Sequence, residues 1–250
     1  RASSQMISAQ SLTRQLHSPI TWASIILLTG LSWYYMLFDM TMVMSPHWHI
    51  YELTMVFTMW AVMMVGMMMP SATPMILLFA KISRTRQQRS AEFVSTNLFI
   101  LGYLLLWCLY SLGITLVQWQ LHRLALMTPM MQSSNDIASG ILLIMIGLYQ
   151  VSPFKQQCLH YCRSPLNFLM SQWQEGKLGA VKMGMKHGQY CVGCCWLLMA
   201  LLLVVGVMHI GWILALSILV LLEKVLPWPK TINLGICLTC LGFGLYFLVG

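Results

Sequence analysis

The chain has 250 residues, 58% of them hydrophobic and only 8% charged, with a mean hydropathy of +0.74; a soluble globular domain carries roughly 25% charged residues, so this composition excludes one. The net charge of +8 does not point to a nucleic-acid partner, because the basic residues gather on alternate connections between apolar stretches, as in proteins that cross a membrane. The weak alternation of a transmembrane barrel is absent, so the expected fold is all-α: a single polytopic membrane helix bundle over residues 1–250, embedded in the lipid bilayer.

A polar arm at 1–19 carries Arg1, Arg14 and His17. The sequence starts on Arg rather than Met, as expected of a chain that begins after a truncation or processing event. The first span, 20–38, is long for a signal-peptide core and lacks a small-residue cleavage pattern, so it reads as retained. A short connection with Asp39, His47, His49 and Glu52 but no Lys or Arg leads to the second span, 53–80, which contains MWAVMMVGMMMPSATPM. Lys81, Arg84, Arg86 and Arg89 follow, with Glu92 as the one acid among them. The third span, 93–116, is followed by Arg123 and Asp136, and the fourth is 137–151. A long segment, 152–190, then carries Lys155, Arg163, Lys177, Lys182 and Lys186 against Glu175. The last spans are 191–208, 212–226 and 231–249, with Lys224 and Lys230 beside the final connection.

With the N-terminus cytoplasmic, every Lys and Arg except Arg123 falls on an inner segment, and the positive-inside rule predicts seven spans with the C-terminus outside. Only His209, Ile210 and Gly211 separate 191–208 from 212–226, and the latter is about 22 Å long as a helix. Those two read either as separate helices or as one re-entrant unit. No soluble domain, linker or repeat is evident.

The stretch HGQYCVGCCWLLM holds the densest chemistry. As a helix it puts His187, Cys191 and Cys195 four residues apart, with Cys194 three after Cys191, all on one face. Thiolate and imidazole suit Cu(I), zinc or an iron–sulfur centre, and the Met199 thioether one turn deeper favours Cu(I). The predicted topology puts these thiols at the cytoplasmic mouth of the fifth span, where they stay reduced. Cys158 and Cys162, in CLHYC on the preceding inner segment, share that compartment and are within reach of the same mouth, whereas His160 points elsewhere if the segment is helical. Buried cysteine also packs as a small hydrophobe.

In the second span Met55, Met59, Met63 and Met67 step by four, with Met64 and Met68 beside them. Such a stripe is core filler in many bundles. Here Pro70 and Pro74 each remove a helix donor and push on the carbonyls of Gly66 and Pro70, which predicts a bend next to the Met cluster, the kind of broken helix around which transporters build sites. His47, His49 and Glu52 at the outer mouth suit a divalent ion, or are ordinary interfacial polarity beside Trp48. Lesser candidates are Cys237 and Cys240 inside the last span, Met208 and His209, Glu223 beside Lys224, and Asp39 among Met36, Met40 and Met44. No haem-attachment CxxCH, P-loop, GxGxxG, HExxH or Ser/His/Asp arrangement is present, so no catalytic residue is singled out.

The segments WAVMMVGMMMPSATPMILLFA, CLHYCRSPLNFLMSQW and MGMKHGQYCVGCCWLLM, followed by GVMHIGW and LLEK, resemble the bacterial family of predicted metal-binding integral membrane proteins, some of whose members are labelled copper chaperones. The resemblance covers residues 32–227, and the spaced HGxYCxGCCW carries its specificity. It implies a metal-binding multi-helix protein of the bacterial inner membrane, with the Cys/His and Met/Pro motifs at its centre. Relatives often carry His where this chain has Gln172 before Trp173, and Asn where it has His209, so no ligand is assigned at Gln172. The expected function is copper handling by chaperoning, delivery or transport of Cu(I). Its expected partners are the bilayer, a metal ion and a membrane or metalloenzyme partner protein. The same residues also fit a membrane thiol or iron–sulfur redox protein, or a structural or assembly subunit of a membrane complex.

Overall fold

The computed structural model describes residues 19–38, 49–87, 94–124 and 135–249; the readings that rest on Arg1, Arg14, His17, Asp39, Met40, Met44, His47, Trp48, Arg89 and Glu92 lie outside them. Among the described residues the structure is all-helical, with no strand: α1 (Pro19–Phe38), α2 (Ile50–Gln87), α3 (Thr96–Arg123), α4 (Asp136–Gln150), α5 (Pro153–Arg163), α6 (Pro165–Gln172), α7 (Gly176–Ala200), α8 (Leu202–Val205), α9 (Ile210–Val225) and α10 (Pro229–Val249).

Local chemistry sets these boundaries. Ser95 caps α3 by accepting from the Asn97 N–H at 3.3 Å, and Asn135 caps α4 by accepting from Ala138 at 2.9 Å. At the start of α2 the Glu52 carboxylate accepts from the His49 backbone N–H at 2.9 Å. That reciprocal contact is half of a capping box, and it gives Glu52 a structural task. Two Ser-Pro pairs restart the chain after α4 and α5: proline cannot continue a helix but suits its first turn. The Ser152 hydroxyl accepts from Lys155 N–H at 3.2 Å, with Pro153 at the first turn, and α5 leaves α4 at 59°.

Among the described residues five helices are long and apolar enough to cross a membrane, namely α1, α2, α3, α7 with α8, and α10; the bent pair α4–α5 makes six if it is one span. On α3, Leu101, Leu105, Leu109, Leu112 and Leu116 form an exposed apolar stripe, which water would not tolerate but lipid would. The sixth stretch expected from sequence, α9, has only 16 residues, short of the ~20 that span hydrocarbon. It is separated from α8 by 206–209. The pair bent sharply at a short break is α4–α5, a broken span or a re-entrant loop.

The larger correction concerns 152–190. This segment is not a connection: it holds α5, α6 and the first half of α7. Lys177, Lys182 and Lys186 lower its hydropathy, yet Gly179, Ala180, Met183, Gly184, His187 and Gly188 form a buried helical face that runs straight into the cysteines. The thiols therefore sit about 22 Å along α7 from its first residue rather than at the start of that helix.

α3 packs most extensively on α7, α4 on α10, α2 against both α1 and α3, and α5 on α7. α2 runs as one helix through Pro70 and Pro74. The carbonyls near them find donors elsewhere: Trp33 Nε1 donates to Gly66 O at 3.3 Å, Tyr103 Oη to Met68 O at 3.2 Å, and Ser71 Oγ to Met68 O at 2.9 Å. Pro70 lacks the N–H that would otherwise bond Gly66 O, so Trp33→Phe is expected to cost about 1 kcal/mol beyond its small packing loss. Unfolding of the two proteins in one detergent measures this, and identical midpoints would remove the indole from the account.

Candidate metal centre

His187, Cys191, Cys194, Cys195 and Met199 all lie on the buried face of α7. The Cys194 and Cys195 thiols donate to the Cys191 carbonyl at 3.1 and 2.9 Å. α5 lays its own cysteines against them. Cys162 lies close enough to the Cys191 and Cys194 thiols for their charges to act on one another. A Cβ added at Gly193 would stand 2.8 Å from Cys158 Sγ, so only glycine there lets Cys158 approach so closely. The 59° turn at Ser152-Pro153 makes this juxtaposition possible, because a straight continuation of α4 would carry both cysteines away from α7. All of these cysteines are free thiols.

The thiols are neighbours but not a ready coordination shell. Among the described residues no group of three or more His, Cys, Asp or Glu side chains is already arranged to hold a metal ion. The physical reason is that Cys194 and Cys195 spend their S–H donors on their own helix; a shared ligand would require both to rotate about χ1.

His187 is the most informative neighbour. Its ring stacks on Phe99 and Tyr103, with centroids 6.1 and 5.6 Å away and planes 24° apart, and meets Phe168 edge-on at 5.7 Å. Both ring nitrogens are buried without a hydrogen-bond partner among the described residues. An orphaned buried polar group costs about 1–3 kcal/mol, and a vacant imidazole nitrogen is itself a soft-metal donor.

Cys191 Sγ is also held from two other helices. Tyr103 Oη lies 3.3 Å away, and Lys224 Nζ donates to it at 3.1 Å while donating to Ser71 Oγ at 2.8 Å. A partly open cavity of about 250 Å³ borders this group, lined in part by Ser71, Met75, Cys162, Arg163, His187 and Lys224.

The Met run divides. Met63, Met64, Met67 and Met68 are fully buried, as is Met59, whereas Met55 is 37% exposed and leaves the stripe. Of the four, Met68 connects to the thiols, through its carbonyl and Tyr103; Met75, two turns further on, lines the cavity itself. Cys237 and Cys240 are buried on α10, and His209 is an exposed N-cap of α9, about 22 Å along that helix from Lys224. Glu223 pairs not with Lys224 but with Lys155, at 2.8 Å.

Sequence reasoning passed over Tyr103, Ser71, Met75, Arg163 and the role of Lys224. For Lys224 the signal was present, since a charge next to a long apolar run is a functional hint by default; its target was not. Trp173, beside Gln172, stacks on Phe79 at 5.6 Å and takes Arg86 over its ring at 4.8 Å, a structural post at the α6–α7 turn.

An all-helical bundle with membrane-length apolar helices, and with thiols, imidazole and thioethers gathered inside it, defines a helical membrane protein rich in soft donors. Residues 57–247 match the family described as PpoB2, copper chaperone. The chain belongs to that family. No curated protein and no solved structure matches it.

Proposed function

We propose that this protein binds Cu(I) as cargo inside the membrane and hands it on, using the thiols of Cys162, Cys191, Cys194 and Cys195, with His187 and Met199 as further donors and Cys158 close behind. The observation that carries this reading is the meeting of α5 and α7 cysteines beside an imidazole that has no hydrogen-bond partner among the described residues. Membership of a copper-chaperone family supports it. The donors fit the cargo: thiolate, thioether and imidazole select a soft monovalent ion, and thiolate sites hold it while still exchanging it. Met63, Met64, Met67 and Met68 are the onward thioether path along α2. The charge asymmetry supports an inner-membrane placement with the N-terminus cytoplasmic. In that orientation the seven-span topology needs α9 to count as a crossing despite its length.

Copper analysis of full-length protein, purified reduced in detergent, tests the reading. Copper is expected to co-purify with the wild type and to fall to the blank-membrane level in the Cys191→Ser, Cys194→Ser, Cys195→Ser triple variant. Equal copper in both would take these thiols out of the mechanism, and a visible iron–sulfur chromophore in place of copper would reassign them.

A further inference from the structure

The cavity beside the thiols has a charge that the cargo alone does not explain. Its lining includes Arg163 and Lys224, and no acidic residue among the described ones. The Glu223 carboxylate, next to Lys224 in sequence, is paired with Lys155, and among the described residues Arg163 donates to the Glu223 backbone carbonyl at 3.1 Å. Two positive charges, from α5 and α9, therefore line the space beside Cys162, and one of them, Lys224, also touches Cys191. Bare Cu⁺ would be repelled there. A copper(I) ion already held by two thiolates has a net negative charge and would be drawn in.

We infer that this cavity is an exchange port for Cu(I) delivered as an anionic bis-thiolate complex of a small thiol, with Arg163 and Lys224 as its positioning charges. The inference rests on the copper reading above and names the form in which the cargo arrives. Cys162 lines the cavity and is half-buried, so it meets the complex first. Cys191 stands behind it, with Lys224 Nζ 3.1 Å from its sulfur. The size of the space, about 250 Å³, admits a copper ion with the sulfur ends of two small ligands and not a folded carrier domain.

The step balances without a redox partner. Two copper–sulfur bonds to the carrier break as two form to Cys162 and Cys191; the protein thiols release two protons, the departing carrier thiolates take them up, and copper stays monovalent. The anionic charge of the complex passes from the carrier to the protein site, where the Lys224 ammonium already stands. Met75 and His187 on the cavity wall offer transient donors during the exchange.

The test offers copper to reduced, copper-free, full-length protein in zwitterionic detergent from two donors of opposite charge: copper(I)–glutathione, an anion, and tetrakis(acetonitrile)copper(I), a cation. Lys224→Met and Arg163→Gln are each expected to slow uptake from the anion by about 10-fold, the scale of electrostatic focusing, while uptake from the cation quickens. Lys224→Arg keeps the charge and should keep the wild-type rate from the anion. Added salt should slow wild-type uptake from the anion and lose much of that effect in Lys224→Met. Equal slowing from both donors would make Lys224 and Arg163 merely structural and overturn the port. So would unchanged rates from the anion, or a wild type that accepts copper from the cation alone, and in each of these cases copper binding itself still stands. A wild type that takes copper from neither donor would instead bring down the copper reading.

Discussion

Gly184→Leu is expected to destabilise the folded bundle by at least about 3 kcal/mol, the upper end of ordinary overpacking. A Cβ at position 184 would stand 2.1 Å from the Phe99 carbonyl oxygen and 3.1 Å from the Tyr103 nitrogen, and across the interface a Cβ at Gly102 would stand 2.2 Å from the Val181 carbonyl oxygen. These obstructions are backbone atoms, so no side-chain rotation relieves them; α3 and α7 would have to separate. Gly184 and Gly188 form a GxxxG pair, the spacing that lets membrane helices approach backbone to backbone. The consequence reaches the candidate site, because the same interface stacks Tyr103 on His187 and sets its hydroxyl beside Cys191. Gly113→Leu, on the same α3 but with nothing within 4 Å of its added Cβ, is the matched control and should unfold like the wild type. Gly184→Ala should fall between the two. The α3–α7 contact is wrong if Gly184→Leu unfolds in detergent at the wild-type midpoint.

That interface also shows what sequence could and could not deliver. The shared face of His187, Cys191, Cys194 and Cys195 was legible because helical periodicity depends only on spacing. The membrane class was legible from composition. The start of α7 was not. Lys177, Lys182 and Lys186 lower a hydropathy average that cannot tell a connection from a helix with one polar face, so the sequence reading starts the helix at the cysteines and the structure starts it at Gly176. Nor was the union of Cys162 with Cys191 more than a reach argument, since it depends on a 59° turn whose angle no local rule sets. Lys224 was harder still. Glu223 and Lys224 are neighbours in sequence, but on α9 they point to different helices, one to Lys155 on α5 and the other to Cys191 on α7. Which way each points follows from the rotation of α9 within the bundle, a tertiary fact.

The divergence of those neighbours leads to the second large effect. Lys155 and Glu223 form an ion pair at 2.8 and 3.1 Å with side chains 0% and 1% exposed, and the Gln150 side-chain oxygen Oε1 also accepts from Lys155. Glu223→Ala would leave a buried ammonium without its counter-charge, so a loss of about 3–5 kcal/mol is expected. A buried pair replaced whole by apolar side chains of similar volume is often neutral. Lys155→Met with Glu223→Leu should therefore recover most of that loss, short of about 1–3 kcal/mol for the Gln150 oxygen left without its donor. Reversible unfolding of the three proteins in one detergent mixture decides it, and a Glu223→Ala protein as stable as the wild type would mean the pair is not buried as described. The pair also bears on the thiols. Lys155 lies seven residues before Cys162 on α5, hence on the same face after two turns, and Glu223 adjoins Lys224, so this one contact fixes how α5 and α9 flank the cavity. Glu223→Ala should lower copper content along with stability, whereas the double apolar variant should restore both. A double variant that regains stability but not copper would show that the charged pair serves the cavity itself and not only the packing around it.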